Sequence, residues 1–275
     1  MNICSGTCPL IKRCGQQMNN HSLQFKDVSF RYKENQKQRQ DHILDSLSFD
    51  VSEGEFVSII GPSGSGKTTL FRLITGLEQP VQGEVFINGK LYSDRFGKVG
   101  YMPQQDLLMP WRTILTNAAL PLEIKGIPKQ EAHKQVIQLL HEFGLNGVEN
   151  KYPGDLSGGM RQRVSFLRTV LSGSNVLLLD EPFSALDAIT RLSMQEWLLE
   201  QWEKWKSTIL FITHDVDEAL FLSDRIFVFT EAPVHTLEEV LVPLKRPRAI
   251  RDIHTPEVIA VKEQLIEQLR KRVKS

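Results

Sequence analysis

Gly61-Pro62-Ser63-Gly64-Ser65-Gly66-Lys67-Thr68 is the stretch that decides the fold. It fits G-x-x-x-x-G-K-[ST], and its context fits as well. Before it runs Glu55-Phe56-Val57-Ser58-Ile59-Ile60, apolar and β-branched as a fully buried central strand should be. After it, Thr69-Leu70-Phe71-Arg72-Leu73-Ile74 opens a helix. Small residues let backbone N–H groups wrap the β- and γ-phosphates of a nucleotide, and the helix N-terminus adds partial positive charge. Lys67 supplies a mobile point charge for the terminal phosphates, and Thr68 a hydroxyl ligand for Mg²⁺.

A phosphate loop serves many reactions, and a second motif narrows them. Asn175-Val176-Leu177-Leu178-Leu179-Asp180-Glu181-Pro182 reads as a buried strand that delivers two carboxylates at its C-terminal edge, where ligands bind in open α/β sheets. Asp180 is placed to hold the Mg²⁺ shell, and Glu181 to orient or deprotonate an attacking water. Between the two motifs, Ser157-Gly158-Gly159 stands ahead of Arg161–Leu171 as a helix start with open N–H groups, a second anion site in one chain.

Outward from these motifs, Leu23, Phe25, Val28 and Phe30 alternate almost regularly with polar residues, and Leu47, Phe49 and Val51 do the same, which predicts half-buried strands. Residues 33–42 read as a solvated polar loop. Glu84-Val85-Phe86-Ile87 and Val99-Gly100-Tyr101 are further strand candidates. Val136, Ile137, Leu140 and Phe143 recur at helical spacing, so a helical stretch of about 105–170 interrupts an alternation of strand and helix. Thr208–Ile212 reads as another buried strand, and Leu198, Trp202 and Trp205 place core aromatics on the helix before it. Residues 256–275 read as a terminal helix with a basic end.

With 275 residues, 41% hydrophobic and 24% charged, the composition is that of an ordinary globular chain and excludes disorder or a fibre. Lys+Arg and Asp+Glu number 33 each, so no whole-chain basic field favours nucleic acid. No apolar run approaches the roughly 18 residues needed to span a bilayer. The first residues, MNICSGTCPLIKRCG, lack the pattern of a secretory signal, and a cytosolic address is expected. Cys4, Cys8 and Cys14 match no zinc spacing, and residues 1–20 are read as an extension outside the mechanism, with Met18 an alternative start.

Leu156-Ser157-Gly158-Gly159-Met160 resembles the LSGGQ signature of the ATP-binding cassette family, with Met160 in place of the usual Gln. The resemblance implies a P-loop NTPase (RecA-like) core carrying an antiparallel β subdomain and an α-helical signature subdomain. It sets the cassette over 21–255 and a separate C-terminal helix after it. It implies ATP and Mg²⁺ as cofactors and a head-to-tail dimer, by default of two copies, in which each signature covers the ATP held by the other subunit. Tyr32 matches the aromatic that stacks on adenine. Gly61, Pro62, Ser63, Gly64, Ser65, Gly66, Lys67, Thr68 and Thr69 match the phosphate contacts, and Ser157, Gly158, Gly159 and Asp187 the contacts made across the dimer. Gln104 matches the glutamine that touches Mg²⁺ and the attacking water; Gln105 competes, but the spacing to Pro110 favours Gln104. Ser184-Ala185-Leu186-Asp187 resembles the loop that links the two sites, and His214 the histidine that contacts the γ-phosphate.

Two further segments, Leu108-Met109-Pro110-Trp111-Arg112 and Pro243-Leu244-Lys245-Arg246-Pro247-Arg248, look like the importer ATPases of the nitrate/sulfonate/taurine type, a group that includes pyrimidine-precursor uptake. The Pro-Trp segment would receive a short helix from an integral membrane permease subunit; the alternative is an apolar patch covered within the chain. A solute-binding protein would be an indirect partner. These likenesses imply a peripheral ATPase at the cytoplasmic face of the cell membrane. The competing expectation, a cassette ATPase acting on nucleic acid or ribosomes, usually has two cassettes or a long coiled-coil insertion, and this chain shows neither.

Overall fold

Strands that are buried at every position need cover on both faces, and the chain supplies two different covers. The computed structural model describes residues 21–32, 42–184, 186–229 and 232–273, with the backbone alone for 271–273. The three early cysteines and nearly all of the 33–42 stretch lie outside the described residues. Along the chain come β1 (His21–Phe30), β2 (Leu44–Ser52), β3 (Phe56–Ile60), α1 (Lys67–Thr75), β4 (Gln82–Ile87), β5 (Lys90–Leu91) and β6 (Gly100–Met102). Then follow α2 (Ile114–Ile124), α3 (Lys129–Glu142), α4 (Gly158–Val170), β7 (Val176–Asp180), α5 (Ala188–Trp205) and β8 (Thr208–Ile212). The chain closes with α6 (Val216–Leu222), β9 (Arg225–Val228), β10 (Glu238–Leu241) and α7 (Pro256–Val273).

Six strands form one sheet in the order β10-β9-β3-β8-β7-β6, parallel except for the β10 edge. The alternate faces of its strands enter separate cores. Val57, Ile59, Leu178, Leu210 and Ile212 pack with α1 and the antiparallel sheet β2-β1-β4-β5. Phe56, Leu177, Leu179, Ile209 and Phe211 pack with the helices α2 to α7. This is the expected α/β core with an antiparallel layer on one side and a helical part on the other. The almost regular alternation in β1 has a cause: pairing with β2 slips between Phe25 and Val28, and Asp27 there takes φ 48°. One extra residue returns Val28 and Phe30 to the face of Leu23 and Phe25.

Trp202 is buried against Phe56, and Trp205 stacks near Phe143, so the tryptophans of α5 are core as their spacing predicts. The terminal helix is α7, and its Val258 and Leu265 are fully buried in the helical-side core.

Candidate nucleotide site

The parallel register decides what meets at the sheet edge. Ile59 pairs with Ile212, Ile212 with Asp180, and Leu179 with Met102, so four strands end almost in line. The residues just beyond those ends are Gly61, Thr213, Glu181 and Pro103, and the candidate groups follow immediately.

Gly66 precedes α1 with φ 100°, a left-handed conformation that suits glycine, and no side chain caps the helix. The first N–H groups of α1 are therefore left to an external acceptor. Lys67 Nζ donates to the carbonyls of Gly61 (2.9 Å) and Pro62 (2.7 Å), which holds the ammonium inside the loop. Its burial lowers its pKa, and Glu181 and Asp180 act against that shift. Ser65 Oγ is buried with no hydrogen-bond partner among the described residues, as a donor for a phosphate oxygen would be. Tyr32 lies just past β1; its ring meets Phe30 edge to face, and its hydroxyl is 3.2 Å from Thr69 Oγ1. That bond ties the expected adenine platform to the first turn of α1.

Asp180 is buried at the end of β7 and is hydrogen-bonded by Thr68 and by Tyr101. Burial raises its pKa, the Thr68 bond opposes this, and the charge of Glu181 adds to the rise. Lys67 draws it back down, but burial outweighs these aids to the charged form, a cost that a cation beside Thr68 would relieve. The donors present, a hydroxyl and a carboxylate, are the hard oxygens that Mg²⁺ takes. Among the described residues no group of three or more His, Cys, Asp or Glu could hold a metal. A Mg²⁺ at Thr68 and Asp180 would draw its other ligands from phosphates, water and the Gln104 amide, as that ion commonly does.

Glu181 sits beside this pair with φ 47°, a strained backbone for a residue with a side chain, costing about 1–3 kcal/mol. Glu181 N–H donates to Ile212 O (3.0 Å), and Ser184 N–H to Glu181 O (3.2 Å), which hold the turn. Its carboxylate takes a bond from Gln104 Nε2 at 3.0 Å and stands 3.3 Å from His214 Nδ1. Gln104, rather than Gln105, is the glutamine in contact. His214 is 66% exposed, so its ring lies open at the mouth of the site.

The signature segment forms a helix start of another kind. Ser157 Oγ accepts from Met160 N–H (3.3 Å) and caps α4, whose first turn has no acidic residue. A Cβ on Gly158 would meet nothing within 4 Å, whereas one on Gly159 would lie 2.9 Å from Thr190 Cγ2. Gly158 is thus left open, while Gly159 lets α4 lie against the first turn of α5. Asp187 caps α5 through Thr190 N–H (3.0 Å), and Thr190 holds the Asp187 carboxyl below its usual pKa.

Sequence reading singles out none of the side chains that join these parts. Tyr101, at β6, is half-buried beside Asp180, and its pKa is pushed up to about 12 by burial first and by that carboxylate second. Asp106 Oδ2 accepts from Arg161 Nε (3.1 Å), and Arg168 donates to the carbonyls of Asp106 (2.6 Å) and Leu107 (2.9 Å). Two arginines of α4 thereby hold the segment after Gln104. Buried Asn117 exchanges bonds with both main-chain groups of Met109 and also donates to Arg112 O (2.9 Å). It fixes a turn from which Trp111 (75% exposed) and Leu107 (58% exposed) project, so this patch is not covered by the described residues.

A family model described as ABC transporter matches residues 44–184. The formylaminopyrimidine import ATP-binding protein ThiZ of Halalkalibacterium halodurans is 49% identical over 253 residues, covering 92% of this chain and 95% of the relative. The aliphatic sulfonates import ATP-binding protein SsuB of Bacillus cereus is 41% identical and covers 75% and 82%. Among solved structures, the dimeric post-hydrolysis state of the ATP-binding cassette MJ0796 bound to ADP and Pi has a TM-score of 0.71 at 31% identity, covering 81% of this chain and all of that one.

Proposed function

We propose, for a chain that belongs to the ABC transporter family as an ATP-hydrolysing nucleotide-binding subunit, that it works as a head-to-tail dimer driving import of a small solute. The observation that carries this reading is the in-register convergence of Lys67, Thr68, Asp180, Glu181, Gln104 and His214 at one sheet edge, with a separate capped helix start at Ser157. The first set can hold and cleave a triphosphate. The second, without acid or metal ligand in its first turn, can only bind one.

In this reading the free N–H groups of α1 and Lys67 hold the β- and γ-phosphates, and Tyr32 supports the base. Thr68, Asp180 and Gln104 would hold Mg²⁺, which supplies charge neutralisation at the phosphate oxygens when bound. Glu181 accepts the proton of the attacking water, which Gln104 and His214 hold in place from either side of its carboxylate. His214 also reaches the γ-phosphate. Ser157, Gly158 and the Asp187 loop close over the nucleotide of the partner copy.

The apolar turn at Leu107–Trp111 is the surface offered to integral membrane permease subunits, and the chain itself lies peripherally at the cytoplasmic face. Among the described residues no helix is long and apolar enough to cross a membrane. The 49% relative supports a pyrimidine-precursor solute, with sulfonate and bicarbonate named for relatives at 41%. A solute-binding protein, and not this chain, would select it. The test is co-purification of the full chain with its permease. Recovery of a polytopic membrane protein, lost on Trp111→Glu, is expected; recovery of nucleic acid or ribosomes overturns the reading.

A further inference from the structure

Glu218 is a buried carboxylate that the hydrolytic reading above leaves without a role. Its residue is 7% exposed, and its bonds all lead to the segment that presents His214 or to α5. Glu218 Oε2 accepts from Thr213 Oγ1 at 2.6 Å, and Thr213 Oγ1 in turn accepts from Asp215 N–H at 3.0 Å. The residues on both sides of His214 are thus held by one hydroxyl, and that hydroxyl by Glu218. On its other side Glu218 Oε1 accepts from Gln195 Nε2 (2.9 Å), itself buried on α5. Arg191 of α5 lies 3.9 Å from both Glu218 and Asp215, and also donates to Leu186 O (3.0 Å), next to Asp187. The carboxyl is pushed up in pKa by burial and drawn down by Thr213, pushed up again by Asp215 and drawn down by Gln195 and Arg191. Thr213, Gln195 and Arg191, which fix its place, therefore also favour its charged form. Lys262 of α7, packed on the same helix, pairs with Asp217 instead.

We propose that Glu218 is a positioning residue: through Thr213 it fixes the main chain on both sides of His214, and through Gln195 and Arg191 it makes that placement follow α5, the helix headed by Asp187. An exposed imidazole on a short loop has few contacts of its own, and a displacement of about 1 Å from reacting atoms costs on the order of 100-fold in rate. Glu218 supplies the missing constraint from behind. This inference rests on the role given to His214 above.

The experiment is a double-mutant cycle on the ATPase of the full chain with Glu218→Ala, His214→Ala and both. Glu218→Ala is expected to lower kcat about 10- to 100-fold with KM for ATP within about twofold of wild type. The double variant should be no slower than His214→Ala alone. Glu218→Gln, which can still accept one bond and donate another, should restore kcat to within about fivefold of wild type. If Glu218→Ala does not fold, Thr213→Val removes the same link and Thr213→Ser restores it, with the same expectations. Losses that multiply in the double variant, or a raised KM with kcat kept, overturn the positioning role. His214→Ala at the wild-type rate would instead remove the premise set out under Proposed function.

Discussion

Two helices of this chain begin on glycine-rich turns, and they begin differently. At α1 the cap is Gly66, no side chain takes the first N–H groups, and Lys67, Thr68, Asp180 and Glu181 crowd around. At α4 the cap is Ser157, which already satisfies one N–H, and no acid stands in the first turn. In the proposed function both ends hold a nucleotide's phosphates, but only the first has the groups to break a phosphate bond. The contrast teaches that a chain with one complete set and one bare lid has use for a second copy placed in reverse order, which gives two complete sites by symmetry.

The largest way to break this contrast is to disable the equipped end. Glu181→Gln should lower kcat by about 10²- to 10⁴-fold while ATP binding persists and an ATP-bound dimer accumulates, as turnover assays and size-exclusion chromatography would register. Hydrolysis at the wild-type rate would end the role given to Glu181.

Mixing experiments sharpen the comparison next. Lys67→Ala chains and Gly158→Asp chains should each be inactive alone, one lacking the equipped end and the other the lid. Equal mixing makes half of the dimers mixed, each with one intact site of two, so about a quarter of wild-type activity should return if the sites act independently. A mixture as silent as its parts would show that the lid serves its own chain.

The two signature glycines give a smaller, opposite pair. Gly159→Ala drives a methyl toward Thr190 and should cost about 1–3 kcal/mol, several degrees in Tm. Gly158→Ala meets nothing within the chain and should leave Tm unchanged or slightly raised, as alanine favours helix. Equal melting temperatures would dissolve the distinction.

The smallest effect is expected where the two ends are joined. Asp106→Asn weakens a partly exposed pair with Arg161 and should lower stability by less than about 1 kcal/mol, read from denaturant midpoints.

Much of this was legible because its signals are local. A phosphate loop, a strand ending in two acids and the Ser157 helix start are each written in consecutive residues, and parallel pairing then brings the first two together at one sheet edge. What stayed hidden depends on register and long-range packing. The bulge that restores Val28 to its face shows only as a slip in alternation. Tyr101 reads as one more strand residue until β6 is laid beside β7. The use of Gly159 as a packing gap cannot be told from use as a phosphate contact, since both ask for the same absent side chain. Asp106, Arg161 and Arg168 are separated by most of the helical part, and nothing in their spacing announces a meeting.

Arg168 holds its loop by the carbonyl oxygens of Asp106 and Leu107, not by side chains. A carbonyl is present whatever residue occupies the position. The side chains of the apolar tip that follows can therefore change without cutting the leash that connects it to the signature helix. Under the permease contact proposed above, the tip is the interchangeable fitting and Arg168 is the part to leave alone.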